Sequence, residues 1–456
     1  MLKFLHTADL HLGKSFHDYS LIEDQRYLLG NFVEVLSDPS YNALVIAGDV
    51  FDRSIPSPEA AALFSSFLGD LKKARPDLTV LIIPGNHDSP RRLAYGRELF
   101  SGLGIHIVSD PASAFEPVLI GNGRESCACF LLPFLYPGEL RRGAPHSGGC
   151  APADPAGGAE PVGAVNPAAT DADNAVKPAE MTGSAETGVS VEADLPARTQ
   201  AALAAEASVR LEAARRKSLA GGADYTLLLA HLFCRGGRKS DSERTFLGTA
   251  EEIDVSLFSG FDYLALGHLH RKQRPAPNAW YPGSPLAYSF DEAGEEKHFL
   301  SVELEKSWGP QSFRAASADP SADPVFRCTA TALKPLRPLL KLRGPFAYFL
   351  KAQEPELKEA EKCFLEISLT GTGIIENPLP LLQRRFPWLL SVKQTEAFSA
   401  LSREDGPDSV SFGGRSSVVE DFREFLIDIN GAAEEEKILT FKEILEDTDK
   451  VETPLS

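Results

Sequence analysis

Short aliphatic runs that end in metal-ligating residue types recur along this chain, and no other feature restricts its fold as much. Residues 2–5, 43–46, 79–83, 225–229 and 263–266 are β-branched or leucine-rich and read as strands. Each leads into a short motif: Asp9-X-His11, Gly48-Asp49-X-X-Asp52, Gly85-Asn86-His87-Asp88, His231, and Gly267-His268-Leu269-His270. Strand ends on one edge of a sheet gather side chains that are far apart in sequence. The two-residue spacing of Asp9 and His11, and of His268 and His270, is expected to turn both members of each pair to one face. The resulting set, with His87 to spare, holds enough nitrogen and oxygen for two adjacent divalent metals, and two metals imply phosphoryl chemistry.

The residue types suggest a division of labour. A two-metal site needs a bridging carboxylate to hold two like-charged ions about 3.5–4 Å apart. Asp49 fits that need, since it ends the run 43–47 and Gly48 lets the backbone turn closely into the site. Asp9, His11 and His270 are expected to complete one metal, and Asn86, His231 and His268 the other. A neutral Asn fills a coordination position without adding negative charge near a phosphate. Imidazole and oxygen donors without thiolate admit Mn²⁺, Fe²⁺ or Zn²⁺. His87 is expected to act on the departing oxygen or the transition-state phosphate, with Asp52 orienting its ring as a carboxylate–histidine pair.

The net charge of −18 argues against a generic nucleic-acid binder, but its distribution weakens the objection. Residues 401–456 carry 6 basic and 15 acidic side chains, and residues 143–193 carry 1 and 7. The remainder is nearly balanced, so the acidity sits in appendages. Six scattered cysteines form no Cys-X-X-Cys pair and fit reduced thiols in a cytoplasm. No apolar run reaches the roughly 18 residues of a membrane span, and the first residues turn polar too soon for a signal peptide.

At 456 residues, two or three domains are expected. Strand-like runs alternate with helix-like ones at 25–36 and 58–73, an α/β pattern that resumes at Tyr225 and runs to about 305. Between them, 143–193 is rich in Ala, Pro, Gly, Thr and Asp and reads as a disordered insertion, followed by a helix over 195–219. A Pro/Ser/Ala-rich linker, 309–324, precedes expected strands at 335–342, 364–369 and 389–394 and a helix near 379–385. That region, 325–400, reads as a small α+β domain. Last, a capping box at Ser417 opens an acidic amphipathic helix to 429, followed by 440–446. Such an element is either a docked tail or a partner-binding device.

The ordered motifs resemble the calcineurin-type metallophosphoesterase superfamily. The flanking segments His6-Thr-Ala-Asp-Leu-His-Leu-Gly13, Ala47-Gly-Asp-Val-Phe-Asp52, Ser240-Asp-Ser-Glu-Arg244, Asp262 to His270, and Tyr281-Pro-Gly-Ser-Pro-Leu-Ala-Tyr-Ser-Phe-Asp-Glu292 are similar to the SbcD family of bacterial nuclease subunits. The resemblance covers 1–140 and 222–305, weakens over about 330–400, and is absent from 143–193. It implies an α/β fold with a layered β-sheet core flanked by helices over 1–305, a capping domain at 325–400, and a helical partner-binding element at 415–448. It also implies Mn²⁺-dependent 3′→5′ exonuclease and single-strand or hairpin endonuclease activity on DNA. The implied partner is an SbcC-type coiled-coil ATPase, with the nuclease subunit dimeric in a heterotetramer, cytoplasmic and apart from any membrane.

Rival readings have weaker support. Protein Ser/Thr phosphatases of the superfamily carry Asp-Arg-Gly and Asn-His-Glu where this chain has Asp52-Arg53-Ser54 and Asn86-His87-Asp88, and their last motif lacks paired histidines. A small-molecule phosphodiesterase would not need the appended regions. A catalytically dead scaffold would be expected to lose ligands, and here none is lost.

Overall fold

The computed structural model describes residues 1–136, 199–238, 240, 252–305, 326–352, 354–371, 373–394, 423, 426 and 437–442. The insertion at 143–193, the linker at 309–324, the capping box at Ser417 and most of 415–448 lie outside the described residues, as does 241–244.

Two six-stranded sheets form the body. Strands β1 (Leu2–Thr7), β4 (Ala43–Ala47), β5 (Thr79–Ile83) and β6 (Ile105–Ile107) run parallel, with a short hairpin, β2 (Ser15–Phe16) and β3 (Tyr19–Ser20), after β1. The second sheet holds β7 (Val118–Gly121), β8 (Ser126–Leu132), β9 (Tyr225–His231), β10 (Tyr263–Gly267), β11 (Gln273–Ala276) and β12 (Ala279–Tyr281), in the order β11-β12-β10-β9-β8-β7. The first sheet is completed by β13 (Lys297–Leu304) and β14 (Phe326–Leu333), giving β14-β13-β1-β4-β5-β6.

The pleat explains the layering. Along β4, Ala43, Val45 and Ala47 face a core shared with the second sheet, where Leu227, Leu229, Tyr263 and Ala265 meet them. Leu44 and Ile46 face the opposite way, into a core with helices α1 (Ile22–Leu36) and α2 (Pro58–Ala74). The second sheet repeats the arrangement: Leu228, Leu264 and Leu266 pack with Leu203, Ala207 and Leu211 of the helix Gln200–Ala220. Strands buried on both faces read as continuous apolar runs, which is why 43–47 and 225–229 are legible in the sequence. Ser57 caps α2 by accepting from the Ala60 amide, and Thr199 caps the Gln200–Ala220 helix through Ala202. The result is mixed α/β, with two sheets face to face and helices outside. Among the described residues no helix is long and apolar enough to cross a membrane.

One placement differs from the sequence reading. Residues 326–333 follow the linker, and the sequence groups them with the second domain, yet β14 pairs with β13 residue by residue from Phe326↔Leu304 to Leu333↔Lys297. Its mostly exposed, polar-alternating residues mark an edge strand, which carries little apolar signal. By contact density the chain divides into a unit of 1–342, 353–366 and 383–391 and a second of 343–352, 367–382 and 392–456. A further three-stranded sheet has the order β15 (Leu339–Pro345), β16 (Phe364–Thr370), β17 (Leu389–Lys393).

Candidate metal centre

The motif residues gather at the C-terminal ends of β1, β4, β5, β9 and β10, where the two sheets meet. The two-residue spacing does not act as expected. Strand β1 ends at Thr7 and β10 at Gly267, so neither pair lies on a strand. Asp9 (φ 54°), His11 (φ 43°), Asp49 (φ 48°) and His268 (φ 108°) instead occupy positive-φ backbone that such residues rarely adopt. Neighbouring structure must hold that strain. The Asp9 and His11 amides donate to the Gly48 and Asp49 carbonyls at 3.1 and 3.0 Å, and Leu12 donates to Val50 at 2.9 Å. Two loops are thereby fastened together, and each carries candidate ligands.

Asp49 occupies the middle. Its Oδ2 lies 3.4 Å from His231 Nε2 and 3.7 Å from His11 Nε2, and Oδ1 accepts from the His87 amide at 2.9 Å. On one side, His11 Nε2 and His270 Nε2 are 3.1 Å apart, with Asp9 in the same cluster. On the other, Asn86 Oδ1 lies 3.0 Å from both His231 Nε2 and His268 Nδ1. Asp9 also steadies this second group by accepting the His268 amide at 3.0 Å.

The donor chemistry fits divalent cations. His231 Nδ1 donates to the Ala47 carbonyl at 2.8 Å, so in the neutral ring Nε2 carries the lone pair and faces two oxygen acceptors. Three acceptors converging on one point call for a positive charge between them. Burial works to lower His231, yet the Asp49 carboxylate overcomes it and pushes the ring up to about 9. Burial, aided by the neighbouring histidines and against the pull of Asp49, drives His11 and His268 down to about 3, keeping their lone pairs available. Burial pushes Asp9 up to about 7 against the pull of His231 and His270. Asp49 is also buried, but His231 and His87 hold it well below the ordinary range. Asp49, kept ionised between the two donor groups, would serve both halves of a two-cation site.

His87 is placed beside these donors, its Nε2 4.0 Å from Asp49 Oδ2. An Asp52 carboxylate oxygen lies within 4.8 Å of its ring, and a hydrogen bond to the Asp52 main chain holds the ring. His87 Nδ1 donates to the Asp52 backbone carbonyl at 2.9 Å. The Asp52 carboxylate turns instead to Lys14 Nζ at 2.7 Å and to His11 Nδ1 at 3.5 Å, and although burial opposes ionisation these partners hold it well below the usual range. Asp52 therefore works through its main chain on His87 and through its side chain on His11.

Sequence reasoning missed Lys14 and Asp88. The buried Asp88 carboxylate accepts from the Val50, Phe51 and Gly85 amides at 2.9–3.0 Å, tying the Asp49 loop to the Asn86 loop. Its place in Gly-Asn-His-Asp is visible in the sequence, but only the fold supplies three converging N–H groups. Among the described residues the other histidines stay outside: His6 is buried against Tyr263, and His298 lies on β13.

Two solved structures resemble the chain at low identity. TT1561 of Thermus thermophilus aligns at 13% identity over 62% of this chain and 89% of that one, with a TM-score of 0.32. The calcineurin-like phosphoesterase YfkN from Bacillus subtilis aligns at 14% over 73% and 90%, with a TM-score of 0.33. Residues 2–137, which contain Asp9, His11, Asp49, Asn86 and His87, match the calcineurin-like phosphoesterase family model. Residues 2–137 thus carry a calcineurin-like phosphoesterase domain, and the residues gathered around Asp49 offer donors that could hold metal ions.

Proposed function

We propose that this phosphoesterase is a Mn²⁺-dependent DNA nuclease, degrading duplex ends 3′→5′ and cutting single-stranded and hairpin DNA. In this reading it works in the cytoplasm as a dimer with an SbcC-type coiled-coil ATPase, in DNA end processing, repair and recombination. The observation that carries the chemistry is the convergence of Asp9, His11, Asp49, Asn86, His231, His268 and His270, with His87 held beside them. The DNA substrate is supported by the flanking segments that resemble the nuclease family. Exposed Arg53 follows Asp52, and exposed Arg91 and Arg92 lie on the short helix Pro90–Leu93 just after Asn86-His87, where they suit phosphate contacts that position DNA without reading its sequence.

When bound, two divalent cations would polarise the phosphate and lower the pKa of the attacking water. Asp49 offsets the repulsion between the two halves of the site. His87, anchored through Nδ1, presents Nε2 to the scissile phosphate; as an imidazolium protonated at both nitrogens it hands the Nε2 proton to the departing oxygen and is left neutral, with Nδ1–H still donating to Asp52. The Asn86 amide completes its half-site without repelling the substrate.

The test is purified protein with Mn²⁺ on 3′-ended and hairpin-ended duplexes, with and without the partner ATPase and ATP. Degradation of both, enhanced by the partner, is expected. Hydrolysis of a phosphopeptide with DNA left intact would reject the nuclease reading and favour a protein phosphatase.

A further inference from the structure

Behind His270, on the side away from His11, lies a buried charge pair that the reaction as described does not use. Glu292 is fully buried at the end of the short turn Phe290–Glu292, and it is ion-paired with Lys297, the first residue of β13. Lys297 Nζ also donates to the His270 carbonyl at 3.0 Å and to Ser284 Oγ at 3.2 Å. The Ser284 amide donates to the same carbonyl at 3.1 Å. Gly283, at φ 81°, lets this loop close in, since a Cβ there would lie 2.6 Å from the His270 oxygen. Both ends of His270 are thus held. Its backbone is gripped by Lys297 and Ser284, and its ring has Nε2 toward His11 and Nδ1 facing Glu292 Oε1 at 3.9 Å.

A buried ion pair is weak as a stabiliser, because removing both charges from water offsets most of their attraction. Its persistence here is better explained by what it faces. A ligating histidine commonly has a carboxylate at its other ring nitrogen, which fixes the ring and raises its basicity.

We propose that Glu292, held by Lys297, is the positioning residue for His270 and sets the metal affinity of the Asp9/His11/His270 half-site. The assignment rests on the two-cation reading of the centre. The experiment is Mn²⁺ titration of the full chain, followed by the electron paramagnetic resonance of free Mn²⁺, with the fold checked by circular dichroism. Glu292→Gln keeps the shape and removes the charge. It is expected to weaken one of two Mn²⁺ classes by about 10–100-fold, the class that His11→Ala abolishes, and to leave the other unchanged. Because Glu292→Gln strands a buried lysine, the double variant Glu292→Gln/Lys297→Met decides if the single one misfolds, and it should show the same selective loss. Parental affinity in Glu292→Gln, or its recovery in the double variant, would overturn the proposal, since the second result would blame the orphaned lysine. Equal weakening of both classes would also overturn it, in favour of a general structural role. A parent protein that takes up no Mn²⁺ would overturn the two-cation reading itself, and this assignment with it.

Discussion

The two sheets contribute different chemistry to the same centre. On the proposed reading the first supplies the oxygen donors and their negative charge: Asp9 and Asp49, with His11, on loops that pass through positive φ and are fastened to one another, and Asn86, with His87, on the loop after β5. The second supplies only imidazoles: His231 as the last residue of β9, and His268 and His270 just past β10. On that reading neither sheet alone completes a metal site. On the proposed reading the distance between the sheets governs catalysis, and Gly267 and Gly48 allow their close approach. A Cβ on Gly267 would lie 1.7 Å from the Ala47 carbonyl oxygen, and one on Gly48 would lie 2.2 Å from His231 Nδ1.

The largest effect should come from the residue that serves both halves. Asp49→Ala removes the oxygen lying 3.4 Å from His231 and 3.7 Å from His11. Both metals should be lost together, with phosphoester hydrolysis abolished, as read by elemental analysis of the dialysed protein. Retention of one ion at full occupancy would show the two halves to be independent.

Next is a first-sheet residue outside the two donor groups. His87→Ala is expected to lower kcat by about 10²–10⁴-fold, the usual contribution of a positioned acid or base, with metal content unchanged. If the ions leave as well, His87 is a ligand or a structural prop. Asp52→Asn should behave differently, because the main-chain carbonyl that holds His87 survives the substitution while the carboxylate facing His11 and Lys14 loses its charge. Weaker metal binding, read by the same elemental analysis, is expected there, with a smaller fall in kcat at saturating metal than in His87→Ala.

Much of this centre is legible in the sequence because parallel strands buried on both faces write themselves as continuous aliphatic runs, and the ligands follow directly after them. The runs 79–83 and 225–229 coincide with β5 and the body of β9. Two kinds of information are hidden. Asp9 and His11 share a face through positive φ and not through strand alternation, and sequence spacing cannot distinguish the two. Support contacts are invisible as well. Asp52 carries both a carbonyl and a carboxylate, and only the fold decides which of them meets His87. Edge strand β14 escapes for a third reason, since a strand with one face in water lacks the apolar run that marks its neighbours.

The dependence on sheet spacing can be strained directly. Gly267→Ala drives a methyl group into the Ala47 carbonyl, an overpacking that typically costs about 1–3 kcal/mol. Thermal unfolding should register that cost. Metal affinity should fall at the same time, because pushing the sheets apart moves His231, His268 and His270 away from Asp49. A destabilised variant that binds metal as well as the parent would mean that the loops, and not the sheet spacing, set the geometry.

The mildest test compares two neighbours. Ile82 and Ile83 are consecutive on β5 and both fully buried, but Ile82 faces the helices α1 and α2 while Ile83 faces the second sheet. Each Ile→Val substitution removes one methyl group and should cost about 0.5–1.5 kcal/mol, so the two variants should unfold at similar temperatures. Their effects on the centre should differ. Ile82→Val loosens contacts on the helix side and leaves the sheet-to-sheet distance alone. Ile83→Val thins the layer that separates Asp49 and Asn86 from the imidazoles of β9 and β10, just before the chain turns into Gly85-Asn86-His87. A few-fold change in Mn²⁺ affinity is expected for Ile83→Val and none for Ile82→Val. Equal shifts in the two would show that the centre responds to overall stability and not to the core between the sheets.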